Sequence, residues 1–182
     1  MTLKFRKHYS IALIYLVVGC ATYKPQYKEP TRVSKFPDKT IEHSFYLVGD
    51  AGNSPIGGKS PALTGLEKII DRAPSNSTLL YLGDNIYPHG LPKKGDENRA
   101  FAEHQLRAQA GAVKDFKGRT IFIPGNHDWY NDGPKGLKRQ EEFVEDLLGK
   151  DSFLPENGCP ITKVDINDEV VLIVVDSEWY MA

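Results

Sequence analysis

Thr78-Leu79-Leu80-Tyr81-Leu82-Gly83-Asp84-Asn85-Ile86-Tyr87 decides the fold. Its first five residues read as a buried strand, so Asp84 and Tyr87 fall at that strand's C-terminal end. The same arrangement occurs twice more. Ile41 to Gly49 is an apolar, aromatic stretch feeding Gly49-Asp50-Ala51-Gly52. Thr120-Ile121-Phe122-Ile123-Pro124 feeds Gly125-Asn126-His127-Asp128. Open α/β sheets build their sites at the carboxyl ends of such strands.

Helical signals separate the three strands. Ser60-Pro61 is a cap followed by proline, and Leu63, Leu66, Ile69 and Ile70 then keep helical spacing until Ala73-Pro74. A second helix is predicted over Glu97 to Val113, with Ala100, Phe101, His104, Ala108 and Gly111 or Ala112 along one side. A third runs from Lys135 to Leu148 and stops at Gly149. Ile161 to Ile166 and Val170 to Val175 flank Asn167-Asp168, a hairpin signal. Strand and helix alternate before a hairpin, which predicts an α/β sandwich with a mixed sheet.

The chain of 182 residues supports one domain with a real core. Its 23 basic and 24 acidic side chains leave a net charge of -1, so nothing points to nucleic acid as a partner. The hydrophobic share of 40% excludes a disordered chain. Two cysteines cannot form a disulfide framework, and Cys159, in Asn157-Gly158-Cys159-Pro160, reads as a partly buried thiol.

Residues 1–19 read as an address. Lys4, Arg6 and Lys7 precede the apolar run Ile11 to Val18, which is shorter than a membrane span. Val17-Val18-Gly19-Cys20-Ala21 resembles the lipobox of bacterial lipoproteins. That resemblance implies lipidation of Cys20, a mature chain beginning there, and lipid anchorage in the bacterial cell envelope, at the outer membrane or facing the periplasm. Residues 20–40 carry prolines and lysines without apolar periodicity and read as a tether, with a reach on the order of 25 Å. The folded domain is expected over 41–182.

Carboxylates, a phenol, an amide and an imidazole make a hard-metal donor set with an acid built in. In their order and with their glycines, the three strings resemble the calcineurin-like metallophosphoesterases, and among these the purple acid phosphatase branch. The resemblance implies hydrolysis of phosphate esters of small molecules at a dinuclear centre. Asp84 would bridge the metals, Asp50 would bind the first and Asn126 the second.

Gly52 stands where most of the superfamily carries a histidine ligand, and Tyr87 stands where purple acid phosphatases supply a tyrosine instead. A phenolate suits ferric iron, so Fe(III) is expected at the Tyr87 site beside a divalent Fe, Zn or Mn. His127 would bond the phosphoryl oxygens and assist the leaving group. Asp128 would hold the turn and orient the imidazole.

The family also has later histidine motifs. Among His8, His43, His89, His104 and His127, none follows His127. The chain therefore reads as the N-terminal part of a longer phosphoesterase whose C-terminal half is missing. A truncated, non-catalytic lipoprotein domain with an incomplete metal site is the alternative, as is a phosphodiesterase or pyrophosphatase on the same fold. His89 is expected at the pocket rim, and Trp129-Tyr130 and Trp179-Tyr180 either in the pocket wall or in the core. Gly57-Gly58-Lys59-Ser60 imitates a phosphate-binding loop, but its first glycine is misplaced.

Overall fold

The computed structural model describes residues 40–181. The contact pattern separates Ile41–Ala182 from the residues before it. The signal peptide, Cys20 and the tether up to residue 39 lie outside the described residues.

Three strands, β1 (Ser44–Val48), β2 (Ser77–Leu82) and β3 (Arg119–Ile123), form a parallel sheet in that order. Parallel neighbours need crossovers. These contain α1 (Pro61–Ile70) and α2 (Arg99–Ala112). The Ser60 side chain accepts the Leu63 N–H at 3.3 Å, with Pro61 in the first turn, so α1 begins where its cap chemistry dictates. After β3 come a four-residue helix, α3 (Asn126–Trp129), and then α4 (Pro134–Leu148).

The two faces of the sheet are covered differently. Tyr46, Val48, Leu79, Tyr81 and Phe122 face the helices and join Leu63, Leu106 and Val144 in the main core. Tyr81 and Phe122 are fully buried with ring centroids 4.4 Å apart. On the opposite face, Leu80 and Ile121 meet Leu154 and Val174 in a smaller core. That face is bare at β1, where Leu47 is 61% exposed.

The sheet expected as mixed is two separate sheets. β4 (Ile161–Asp165) and β5 (Val171–Val175) pair antiparallel with each other and not with β3. The free edge of β3 is taken by Ser152 to Leu154. Phe122 N–H donates to the Ser152 carbonyl and Leu154 N–H donates to the Phe122 carbonyl, both at 2.8 Å. With these groups used, the hairpin covers the face instead of extending the edge. Its turn forms as predicted, with Asn167 Oδ1 accepting the N–H groups of Glu169 and Val170 at 2.9 and 2.8 Å.

Two further expectations are corrected. The buried side of α2 carries Ala102, Gln105, Leu106, Gln109 and Ala112, whereas Ala100 is exposed and Phe101 and His104 are half-buried. Glutamines on the core side disguise it as polar in a periodicity count. Cys159 is exposed, because it follows a surface turn in which Asn157 takes φ 56°. Among the described residues no helix is long and apolar enough to cross a membrane.

Candidate metal centre

Each parallel strand ends in a loop; the second is joined to the third by Gly90 N–H donating to the His127 carbonyl at 2.8 Å, and the first to the second by three backbone bonds. Asp50 N–H donates to the Gly83 carbonyl at 3.3 Å, Gly52 N–H to the Asp84 carbonyl at 3.1 Å, and Tyr87 N–H to the Gly52 carbonyl at 3.0 Å. Such closeness leaves no room for side chains. A Cβ on Gly52 would lie 2.3 Å from the Asn85 carbonyl carbon, and one on Gly125 would lie 2.3 Å from Asp84 Oδ1. Asp50 and Asp84 take φ 56° and 54°, a left-handed conformation that aspartate tolerates better than most residues.

This geometry brings Asp50, Asp84 and Tyr87 together. The Tyr87 hydroxyl lies 2.6 Å from Asp50 Oδ1 and 2.7 Å from Asp84 Oδ2. A phenol has one proton and can serve one carboxylate at a time. The hydrogen bonds to Asp50 and then Asp84 hold the phenol proton well above its ordinary range. Asp84 Oδ1 is aimed separately, by the His127 backbone N–H at 3.2 Å.

Asn126 opens α3 and shares with Asp50, Asp84 and Tyr130 one open cleft of about 810 Å³. Its Nδ2 donates to the Tyr130 hydroxyl. Two carboxylates, a phenol and an amide are hard oxygen donors, and one proton between two anionic groups leaves charge that a cation would neutralise. The residues present therefore fit a hard metal ion. Among the described residues, no three His, Cys, Asp or Glu side chains gather as a metal cage.

His127 Nδ1 lies 2.7 Å from the Pro88 carbonyl. A carbonyl only accepts, so Nδ1 carries the hydrogen and Nε2 is left free. The imidazole packs against two phenol rings, with centroids 4.3 Å from Tyr87 and 4.9 Å from Tyr130.

Asp128 is fully buried. It accepts from the N–H of Gly125 at 2.8 Å, from Asn85 N and Nδ2 at 3.1 Å each, and from Gln140 Nε2 at 3.0 Å. Burial pushes its carboxyl up to about 6, against the pull of those donors. The bond to its own turn is the expected one, but the imidazole is oriented by Pro88 instead. Asp128 joins the second loop to the third.

Several supporting residues escaped the sequence reading. Gln105 grips Ser54, with Oε1 accepting its N–H at 2.6 Å and Nε2 donating to its carbonyl at 3.1 Å. Gln109 Nε2 donates to the Asn85 carbonyl at 2.7 Å. Trp129, buried, donates from Nε1 to the buried Asp176 at 3.0 Å, which ties α3 to the end of β5. The one available signal was the four-residue spacing of Gln105 and Gln109 on one helix face.

The remaining singled-out residues are placed as follows. His89 is exposed, its ring 6.2 Å from that of Tyr130. His104 Nε2 bonds the Pro55 carbonyl at 2.7 Å, and His43 Nε2 bonds Thr78 Oγ1 at 3.0 Å. Lys59 is engaged by Glu67 and by the Gly111 carbonyl. Trp179 and Tyr180 are exposed and stack edge-on against each other.

Comparison with curated proteins and with solved structures gave no match. The model of the calcineurin-like phosphoesterase family matches residues 43–172. Because that match runs through all three strand-end loops and most of the chain, the protein belongs to the calcineurin-like phosphoesterases, a family of metal-dependent phosphoester hydrolases that generally bind two metal ions.

Proposed function

We propose that the protein is a phosphatase of the purple acid phosphatase kind, hydrolysing phosphate monoesters of small molecules. It carries Fe(III) at the Tyr87 site and a divalent Fe, Zn or Mn beside it. One observation carries this reading: the Tyr87 hydroxyl contacts Asp50 and Asp84 at 2.6 and 2.7 Å. The backbone at Gly52, the position where most of the superfamily has a histidine, excludes any side chain. A phenol from the adjoining loop is the donor available in its stead.

Asp50 and Tyr87 would hold the iron, Asn126 the divalent ion, and Asp84 both. When bound, the two ions supply positive charge to the phosphoryl oxygens and activate the attacking water. The chain's own groups do the rest. The His127 N–H fixes one oxygen of Asp84. With Nδ1–H committed to Pro88, Nε2 is the ring nitrogen left for the leaving oxygen, and it would give up a proton there as the imidazolium returns to neutral imidazole. The Tyr87 ring packs beside that imidazole, centroid to centroid at 4.3 Å.

The location proposed is the bacterial cell envelope, on a lipid anchor at Cys20. Its support is the charged start, the short apolar run and the lipobox-like Val17-Val18-Gly19-Cys20. Replacing Cys20 by alanine is expected to abolish incorporation of labelled palmitate, and incorporation that persists would remove the anchor.

The test of function uses the full-length protein reconstituted with iron and zinc and given para-nitrophenyl phosphate. Phosphate release that Asp84→Ala abolishes, with a visible absorption band that Tyr87→Phe abolishes, is the expected result. A colourless enzyme active with zinc or manganese would overturn the iron assignment and keep the hydrolase. Absence of phosphate release would favour the non-catalytic domain.

A further inference from the structure

Tyr130 lies just beyond the third string, and neither the family match nor the proposed ligand set assigns it a role. It closes α3, its N–H donating to the His127 carbonyl at 3.3 Å. Residues 126 and 130 are four apart and stand one above the other on the helix. The Tyr130 hydroxyl accepts from Asn126 Nδ2 at 2.5 Å. Its ring also flanks His127, centroid to centroid at 4.9 Å. One side chain therefore touches both Asn126, which lines the cleft, and His127 beside it.

The hydroxyl matters because an amide has two unlike ends. The nitrogen donates, and only the oxygen can ligate a cation. Asn126 is exposed and its described side-chain hydrogen bond is the one to Tyr130. Free of that bond, the amide would turn about its terminal torsion, whose energy wells are broad. With Nδ2 tied back to Tyr130, the oxygen end is the one left to face the cleft. Tyr130 is itself 53% exposed, so core packing does not explain it.

We propose that Tyr130 is a positioning residue that sets the Asn126 amide oxygen toward the metal and braces the His127 imidazole. The proposal rests on the reading of Asn126 as a metal ligand. Two functions are separable in one side chain: the hydroxyl acts on Asn126 and the ring acts on His127.

The experiment titrates the full-length protein with Mn²⁺ by calorimetry and compares Tyr130→Phe, Tyr130→Leu and Asp84→Ala, with melting temperatures recorded for each. Tyr130→Phe keeps the ring and loses one hydrogen bond, so Mn²⁺ affinity is expected to fall about three- to tenfold. Its melting temperature is expected to stay within about 1 °C, as for other exposed positions. At saturating Mn²⁺ its kcat returns to the wild-type value. Tyr130→Leu loses the ring as well, and its kcat stays low at saturating metal.

Wild-type Mn²⁺ affinity in Tyr130→Phe, while Asp84→Ala abolishes binding, would overturn the role of the hydroxyl. A melting temperature that drops with the affinity would make the residue structural and overturn the proposal. Wild-type kcat in Tyr130→Leu would overturn the role of the ring. Mn²⁺ binding that survives Asp84→Ala unchanged would instead overturn the metal-centre reading beneath it.

Discussion

Replacing Gly52 by alanine places one methyl group where the first two strand-end loops touch. The new Cβ would stand 2.3 Å from the Asn85 carbonyl carbon, 2.5 Å from its oxygen and 2.5 Å from the Ile86 nitrogen. All three atoms are backbone, so no rotamer change relieves the contact and the loops must part. Parting them strains the Gly52 N–H bond to Asp84 and the Tyr87 N–H bond to Gly52, now 3.1 and 3.0 Å long. Overpacking costs about 1–3 kcal/mol and each of the two lost hydrogen bonds about 0.5–1.5, which makes roughly 2–6 kcal/mol in all. For a domain of this size that corresponds to a fall of roughly 8–24 °C in melting temperature. Thermal unfolding followed by circular dichroism reads the effect. Gly49→Ala is the internal control, since a Cβ there meets nothing within 4 Å. If Gly52→Ala melts within about 2 °C of Gly49→Ala, the claim that backbone proximity demands this glycine is wrong.

Asp128 gives a pH prediction with a definite sign. Its carboxyl is raised to about 6 from an ordinary 3.8, so the folded state holds the proton more tightly than the unfolded chain. That contribution is complete below about pH 4 and is lost as pH rises through 6, on the order of 3 kcal/mol. Urea titrations of the metal-free protein from pH 4 to 7 will show declining stability that Asp128→Asn flattens, and an unchanged slope in that variant would sink the assignment. Trp129→Phe removes the indole donor to the buried Asp176 and is expected to cost about 1–3 kcal/mol in the same titration. A neutral result would mean that the Glu178 and Trp179 N–H groups satisfy Asp176 without it. Gly65→Ala in α1 meets nothing within 4 Å and will stabilise by about 0.5–1 kcal/mol through helix propensity, so a lower melting point there would contradict the placement of that residue in a helix with free space beside it.

The strand and helix order could be read because each element carries its own local signal. Four consecutive apolar residues before Gly83, Leu79 to Leu82, need no partner to be recognised as a buried strand, and Ser60-Pro61 caps a helix by chemistry within three residues. The core side of α2 could not be read in this way. Gln105 and Gln109 look like solvent residues until Ser54 and Asn85 are brought to them by the fold. The exposure of Cys159 is illegible for a related reason: burial of a residue in a turn depends on what lies over it, and nothing in its neighbours along the chain tells that. The mixed sheet was a similar error. Whether a hairpin extends an edge or covers a face depends on what already holds that edge, and Ser152 to Leu154 carry no strand pattern of their own.

The residues offered to the site were visible as types at strand ends. Their association was not. Asp50, Tyr87 and Asn126 are separated by long stretches of chain, and only pairing of β1 to β2 and β2 to β3 carries their loops to one end of the sheet. The sequence by itself determined the alternating elements and the three strand-end strings with their glycines, carboxylates, phenol, amide and imidazole, because each is a local pattern. The tertiary structure alone decided that Gly52 admits no side chain, that Tyr87 reaches two carboxylates at once, that Pro88 orients His127 and that Asp128 joins two loops. Those are contacts between distant segments, and their distances follow from how the whole sheet packs against its helices.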